Sequence, residues 1–239
     1  MTALVADPRF AVYFVPAPDT ALYRFGAAML GYDCYTGEPV AHPPGDVGLS
    51  EAEWAALTAE PRSYGFHATL KAPFRLRAEF APDDLMADLR ALAAAIATVP
   101  TFEPSVGLIG GFVAIVPRAP SPAVDRLAAD CVTAIDRFRR PMAAAERSKR
   151  LAAGLSQSQT AHLDRWGYPY VLEEFRFHMT LTGRIESDRR RAIHALLRDA
   201  FTRHCGTGPI ALDRLALVRQ DEPQARFRVV ADAAVGGMV

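Results

Sequence analysis

The chain has 239 residues, half of them hydrophobic, so it can bury a full core without disulfide or metal staples. Twenty-seven Lys and Arg balance twenty-seven Asp and Glu, which excludes the global field of an indiscriminate polyanion binder while leaving room for a local basic cleft. Three cysteines, Cys34, Cys131 and Cys205, are far apart and form no C-x-x-C pair, as expected of reduced packing residues.

The opening run MTALVADPRF lacks the basic start and apolar stretch of a signal peptide, and the apolar segment 91–99 is too short to cross a bilayer, so a cytoplasmic protein with no membrane partner is expected. Residues 9–15 alternate and are rich in Val, Phe and Tyr before Pro16, which predicts a strand. Asp19 is placed to cap a helix running to Gly31, with Leu22, Phe25, Met29 and Leu30 on one face. Gly37, Pro39, Pro43, Pro44 and Gly45 make residues 32–48 a loop and a candidate rim or lid. Ser50 with Glu53 forms a capping box for a short helix ending near Pro61.

A strand is expected over 64–70, a helix over 82–98, and two strands over 105–109 and 112–116. The latter are joined by Gly110-Gly111, a tight hairpin turn in which both positions are expected at positive φ. Ser121 and Pro122 start a helix that turns Val124, Leu127, Cys131, Ile135 and Phe138 inward and ends by Arg140-Pro141. Residues 142–166 are polar, carry Arg147, Lys149 and Arg150, and read as a helical connector. Beyond Gly167-Tyr168-Pro169 come a strand over 174–182, a helix over 187–204 stopped at Gly206, and strands over 210–218 and 226–231.

The succession of strand, helix, strand and strand thus occurs twice, opening once on YGFHATL at 64–70 and once on RFHMTL at 176–181. The expectation is an α+β fold, a single bilobal domain over residues 1–239 with lobes near 1–120 and 121–239. Two antiparallel sheets should face each other across a central cleft, with helices outside.

Alternate side chains of a strand share a face, so His67 and Thr69 point one way while Phe66, Ala68 and Leu70 point the other; His178 and Thr180 stand in the same relation to Phe177, Met179 and Leu181. Two imidazoles on opposite walls supply what in-line phosphodiester cleavage needs, a base for the nucleophile and an acid for the leaving oxygen, each worth roughly 10²–10⁴ in rate. The threonines can hydrogen-bond non-bridging phosphate oxygens. Either motif alone is as well explained by a structural histidine; the pairing, Phe-His-x-Thr-Leu both times, is what favours a site. Lys71 continues the face of His67, and Arg176 lies two residues before His178, so both are placed to anchor a second anionic group, with solvated strand charges as the bland reading. Tyr13 and Arg219 are further substrate-binding candidates, Tyr13 being equally a core-edge residue. His42, His162, His194 and His204 have no ligand spacing, so neither metal nor cofactor is expected.

Twin H-x-T motifs in a duplicated α+β chain resemble the 2H phosphoesterase superfamily, which includes the 2′-5′ RNA ligase-like and cyclic nucleotide phosphodiesterase proteins. The surrounding wording, YGFHATLKAPF and FRFHMTLTGR with WGYPY upstream, is similar to its DUF1045 branch, described as phosphonate-metabolism-associated. The resemblance implies a metal-independent phosphoesterase that opens or cleaves a small cyclic phosphate or phosphodiester. His67 and His178 would be its catalytic pair, and Thr69 and Thr180 its phosphate binders. The competing reading is a non-catalytic protein that binds phosphometabolites or RNA ends in the same cleft. Longer RNA would need a basic groove interleaved with aromatics, and only the pairs Tyr32/Tyr35 and Tyr168/Tyr170 stand in loops.

Overall fold

The alternating run near the N-terminus becomes β1 (Arg9–Phe14), which sits inside the main sheet with strands on both sides. The computed structural model describes residues 7–42 and 49–236. Helix α1 (Ala21–Leu30) is capped by Thr20 rather than Asp19: the Thr20 hydroxyl accepts the Tyr23 N–H at 3.1 Å, and Gly31 closes the helix in the left-handed conformation. The expected rim is pinned over 32–42, because Tyr23 donates to Asp33 and the Tyr32 hydroxyl donates to the Phe227 carbonyl; positions 43–48 of that loop lie outside the described residues. The Ser50–Glu53 capping box starts α2 (Glu51–Leu57), followed by α3 (Ala59–Arg62).

Next come β2 (Ala68–Arg75), α4 (Pro82–Ala95), β3 (Thr101–Phe102) and the hairpin β4 (Pro104–Ile109) and β5 (Phe112–Pro117). In its turn only Gly110 has positive φ, +57°, so the first central position alone needs glycine's freedom. Helix α5 (Pro122–Ile135) runs into a 3-10 turn over Asp136–Phe138, and the polar connector folds as α6 (Ala144–Leu151) and α7 (Gln157–Trp166). The chain closes with β6 (Met179–Thr180), α8 (Arg190–Cys205), β7 (Ile210–Ala211), β8 (Arg214–Gln220) and β9 (Arg228–Ala234). The strand expected over 174–182 shrinks to two residues, since a 3-10 turn takes Leu172–Glu174 and, past Thr180, both Leu181 and Thr182 donate to one carbonyl, that of Val113.

The architecture is α+β, with a seven-stranded sheet in the order β4-β5-β6-β2-β1-β8-β9 and a two-stranded sheet β3-β7; each of these neighbours pairs antiparallel. Where strand, helix, strand, strand is expected twice, the chain runs β2-α4-β3-β4-β5 and later β6-α8-β7-β8-β9, with an additional two-residue strand in each run. The two facing sheets expected from that repeat are corrected to one continuous sheet. Its halves interleave: β6 pairs with β5 of the first hairpin, β2 reaches the second hairpin through β1, α4 packs on β8 and β9, and α8 packs on β4 and β5. A cut near residue 120 therefore does not separate two spatial lobes. A two-residue strand cannot satisfy its own backbone groups in isolation, so β6 must borrow neighbours from elsewhere.

One face of the sheet carries the main core, where Phe10, Val12 and Phe14 meet apolar side chains of α1, α4, α5 and α8. The other face holds a smaller cluster of Ala11, Tyr13, Ala216 and Val218 with Tyr23, Tyr32 and Phe227. Among the described residues no helix is long and apolar enough to cross a membrane. Cys34 and Cys131 are buried, Cys205 partly so, and all three are free thiols.

Register decides which face Lys71 takes. Phe10 opposes Phe74, Val12 opposes Lys71, and Tyr13 opposes Thr69, so β2 absorbs two extra residues as bulges against β1. Strict alternation is broken, and the expectation that Lys71 lines the cleft is corrected: it turns to the helix-covered face and is 2% exposed. There Nζ donates to the Val132 carbonyl at 3.0 Å and to Asp136 Oδ1 at 3.1 Å, and burial lowers its pKa to about 8. Lys71→Met should lower stability by about 2 kcal/mol, the cost of losing charge-assisted bonds at a buried site, read as a shift in the urea midpoint; unchanged stability would put Lys71 back in solvent.

Candidate active site

The pairing of β2 with β6 is centred on Ala68 opposite Met179. Continuing that antiparallel register sets His67 opposite Thr180 and Thr69 opposite His178, so the two motifs lie crosswise on adjacent strands. Phe66, Ala68 and Leu70, with Phe177, Met179 and Leu181, all enter the main core, which leaves the four polar side chains on the opposite face. Diagonal neighbours of this kind stand about 7–8 Å apart. His67 and His178 are therefore neighbours on one sheet, not residues on opposite walls.

Both imidazoles are oriented in the same way. His67 Nδ1 lies 2.9 Å from the Gly65 carbonyl and His178 Nδ1 lies 2.8 Å from the Arg176 carbonyl, each two residues upstream. A carbonyl only accepts, so Nδ1 carries the proton, and in the neutral ring Nε2 is the free base. At His67 that lone pair accepts the Thr69 hydroxyl at 3.1 Å. Gly65 supplies its carbonyl from φ +73°, and a Cβ there would come within 2.6 Å of Cys34 Cβ, so the Y-G-F-H wording encodes a support for the histidine that facing rules alone miss.

The surroundings then separate the pair. Tyr13 stacks on His67 with ring centroids 3.8 Å apart and planes at 22°, and Tyr64 lies 6.1 Å away, itself stacked on Phe227. Burial lowers the His67 pKa to about 4, with the Gly65 carbonyl opposing and the nearby His178 adding to the drop. His67 is thus neutral across the physiological range. Phe112 flanks His178 at 5.9 Å between centroids.

The remaining predicted residues are placed as follows. Thr69 and Thr180 are half-buried beside the histidines. Arg176 is exposed at the mouth of the site, and its carbonyl holds His178. Tyr13 is 1% exposed, so its assignment as a substrate contact is corrected: it is the platform beneath His67, and burial pushes its hydroxyl pKa well above the ordinary tyrosine range. Arg219 is also corrected. It opposes Phe10, whose ring belongs to the main core, and pairs with Asp221 at 2.7 Å, away from the histidine face. Among the described residues no three His, Cys, Asp or Glu side chains converge as a metal-ligand set.

A family model described as "Protein of unknown function (DUF1045)" matches residues 69–228. The chain belongs to that family. The match takes in Thr69, His178 and Thr180 and begins just past His67. The chain is also similar to two curated proteins named ribose 1,5-bisphosphate phosphokinase PhnN. The one from Janthinobacterium sp. (strain Marseille) is 37% identical over 222 residues, covering 92% of this chain and 49% of that protein. The one from Laribacter hongkongensis is 35% identical over 222 residues, covering 92% of this chain and 50% of that protein. The chain spans about half the length of these curated relatives. Among solved structures it is similar to a conserved protein of unknown function from Agrobacterium tumefaciens, at 13% identity and a TM-score of 0.44, over 97% of this chain and 87% of that one.

The depressed His67 pKa makes a statement about stability in this DUF1045 protein. With about 4 in the folded state against an ordinary value of about 6.5, the unfolded chain takes up a proton first as pH falls. The stabilisation is complete above about 6.5 and is lost on the way down to about 4. Thermal melts should show a fall of the midpoint across that window that is shallower in His67→Asn; parallel curves for the two proteins would refute the assignment.

Proposed function

We propose that the chain is a metal-independent phosphoesterase that opens or cleaves a small cyclic phosphate or phosphodiester, the activity implied by its resemblance to the 2H phosphoesterases, in phosphonate metabolism. The observation that carries this reading is the crosswise setting of the two motifs, with both Nδ1 atoms tied to upstream carbonyls so that both Nε2 atoms serve the same face. Diagonal neighbours on one face of a sheet can reach a single phosphoester with their Nε2 atoms, each through one hydrogen bond of about 2.8 Å.

In this scheme neutral His67 takes a proton at Nε2 from the attacking water as its oxygen bonds to phosphorus. His178, protonated at Nε2, gives that proton to the leaving oxygen as the P–O bond breaks. Proton count is conserved, and exchange of the two protons through solvent restores the starting state. With substrate bound, the Thr69 hydroxyl turns from His67 Nε2 to a non-bridging oxygen, which frees the base, and Thr180 donates to another, where charge builds up in the transition state. The base role is given to His67, which burial keeps neutral.

The relatives' name points to a phosphorylated pentose as the class of compound handled. A P-loop kinase needs a G-x-x-x-x-G-K-[ST] run to cradle nucleotide phosphates, and this sequence has none. We therefore assign this chain a phosphoester-handling role and not that of a P-loop kinase.

Protein treated with EDTA should hydrolyse members of a panel of cyclic phosphates, and His67→Ala and His178→Ala should each lose about 10²–10⁴ in kcat. Undiminished turnover in either variant removes the acid-base pair. Ligand affinity without turnover over the whole panel would move the chain to the non-catalytic phosphometabolite-binding class.

A further inference from the structure

Beside the histidine face lies a cavity of about 380 Å³, within the size range of small-molecule sites. Five arginines line it: Arg9 from β1, Arg75 from β2, Arg139 and Arg140 from the segment after α5, and Arg150 from α6. Among the described lining residues only Asp7 and Glu146 bring negative charge. We propose that this cavity is a subsite for a second phosphate group, so that the substrate is a small doubly phosphorylated compound. The proposal rests on the reading above for the first phosphate.

Among the described residues each of these arginines except Arg9 faces a carboxylate, Arg139 donating to Asp136 at 2.8 Å, so it is Arg9 that leaves the charge of the wall unanswered. Arg9 Nε and Nη2 both donate to Gln220 Oε1, a neutral amide, and among the described residues no carboxylate pairs with Arg9. Gln220 is itself 4% exposed and fixed by donation to the Ala225 carbonyl at 2.7 Å, so Arg9 is held in place without being neutralised. Arg140 spends one nitrogen on Asp7 at 2.6 Å, and Arg150 spends one on Glu146 at 3.1 Å. A guanidinium has five N–H donors in a fork suited to phosphate, so both keep donors to spare. Asp7 lies 2.8 Å from Arg75 and 2.6 Å from Arg140, so one carboxylate already spans two of the guanidinium groups. A phosphate seated there would take the place of that carboxylate on the two guanidinium groups.

The cavity and the histidines draw on the same two strands, β1 and β2. Arg9 and Tyr13 stand on the same face of β1, four residues or about 13 Å apart along the strand, and Tyr13 lies stacked beneath His67. From the other side Gly167 lines the cavity, and the next residue, Tyr168, packs edge-on against Tyr170. A sugar-sized bridge between two phosphates suits that spacing once the long arginine arms are counted.

Calorimetric titration with ribose 1,5-bisphosphate, a doubly phosphorylated probe, tests the subsite without requiring turnover. Arg150→Ala should weaken binding about tenfold, the worth of one charge-assisted bond to phosphate. Glu146→Gln, which keeps the arginine and removes its competitor, should tighten it several-fold; a merely structural Arg150 would give no such gain. A His67→Ala/His178→Ala double variant should weaken binding through the other phosphate. If the arginine variant weakens binding and the histidine variant does not, the subsite stands and the phosphoesterase reading of the cleft fails. Absence of binding, or equal affinity in wild type, Arg150→Ala and Glu146→Gln, overturns the subsite.

Discussion

The site exists because two residues of β6 are laid against β2, with Met179 opposite Ala68. So short a ladder contributes little by itself, since each backbone hydrogen bond is worth about 1 kcal/mol net. What holds β6 in register is the apolar side of the same segment. Phe177, Met179 and Leu181 are all buried in the main core, and each contributes about 1.5–3 kcal/mol when fully removed from water. A slip by one residue would turn these three outward and drive His178 and Thr180 into the core. The hydrophobic pattern therefore fixes the position of the polar pair.

On that frame, two nearly identical motifs acquire different chemistry. Each histidine is oriented by a carbonyl two residues upstream, but only His67 is stacked on a buried tyrosine. Desolvation disfavours the imidazolium, so the packed ring stays neutral while its partner lies nearer the mouth of the site. In the proposed scheme the division of labour between the two residues comes from packing, and the arginine-lined cavity would extend the same face towards a second anionic group.

The facing of the four motif residues was legible in the sequence because alternation is a property of the extended backbone, and their apolar neighbours had to be buried. Lys71 obeyed the same rule on paper and broke it in the fold, because bulges against β1 move it to the face of Asp136. Arg219 went astray through its pairing with Phe10, and Tyr13 because a strand residue can face the right way and still lie beneath the site. The Asp19 cap gave way to the adjacent Thr20, and the second motif strand shrank because neighbouring backbone donors converge on Val113.

Local pattern determined the α+β class, the order of elements and the polar face of each His-x-Thr pair, since each depends only on spacing within a few residues. Tertiary structure decided the rest. It joined two expected sheets into one and set the motifs crosswise, because strand partners are chosen by burial between distant segments. It lowered the pKa of one histidine through an aromatic neighbour 54 positions away in the chain. It also gathered arginines from positions 9 to 150 around one cavity. Desolvation and charge depend on what surrounds a side chain in space, and no window of sequence contains that.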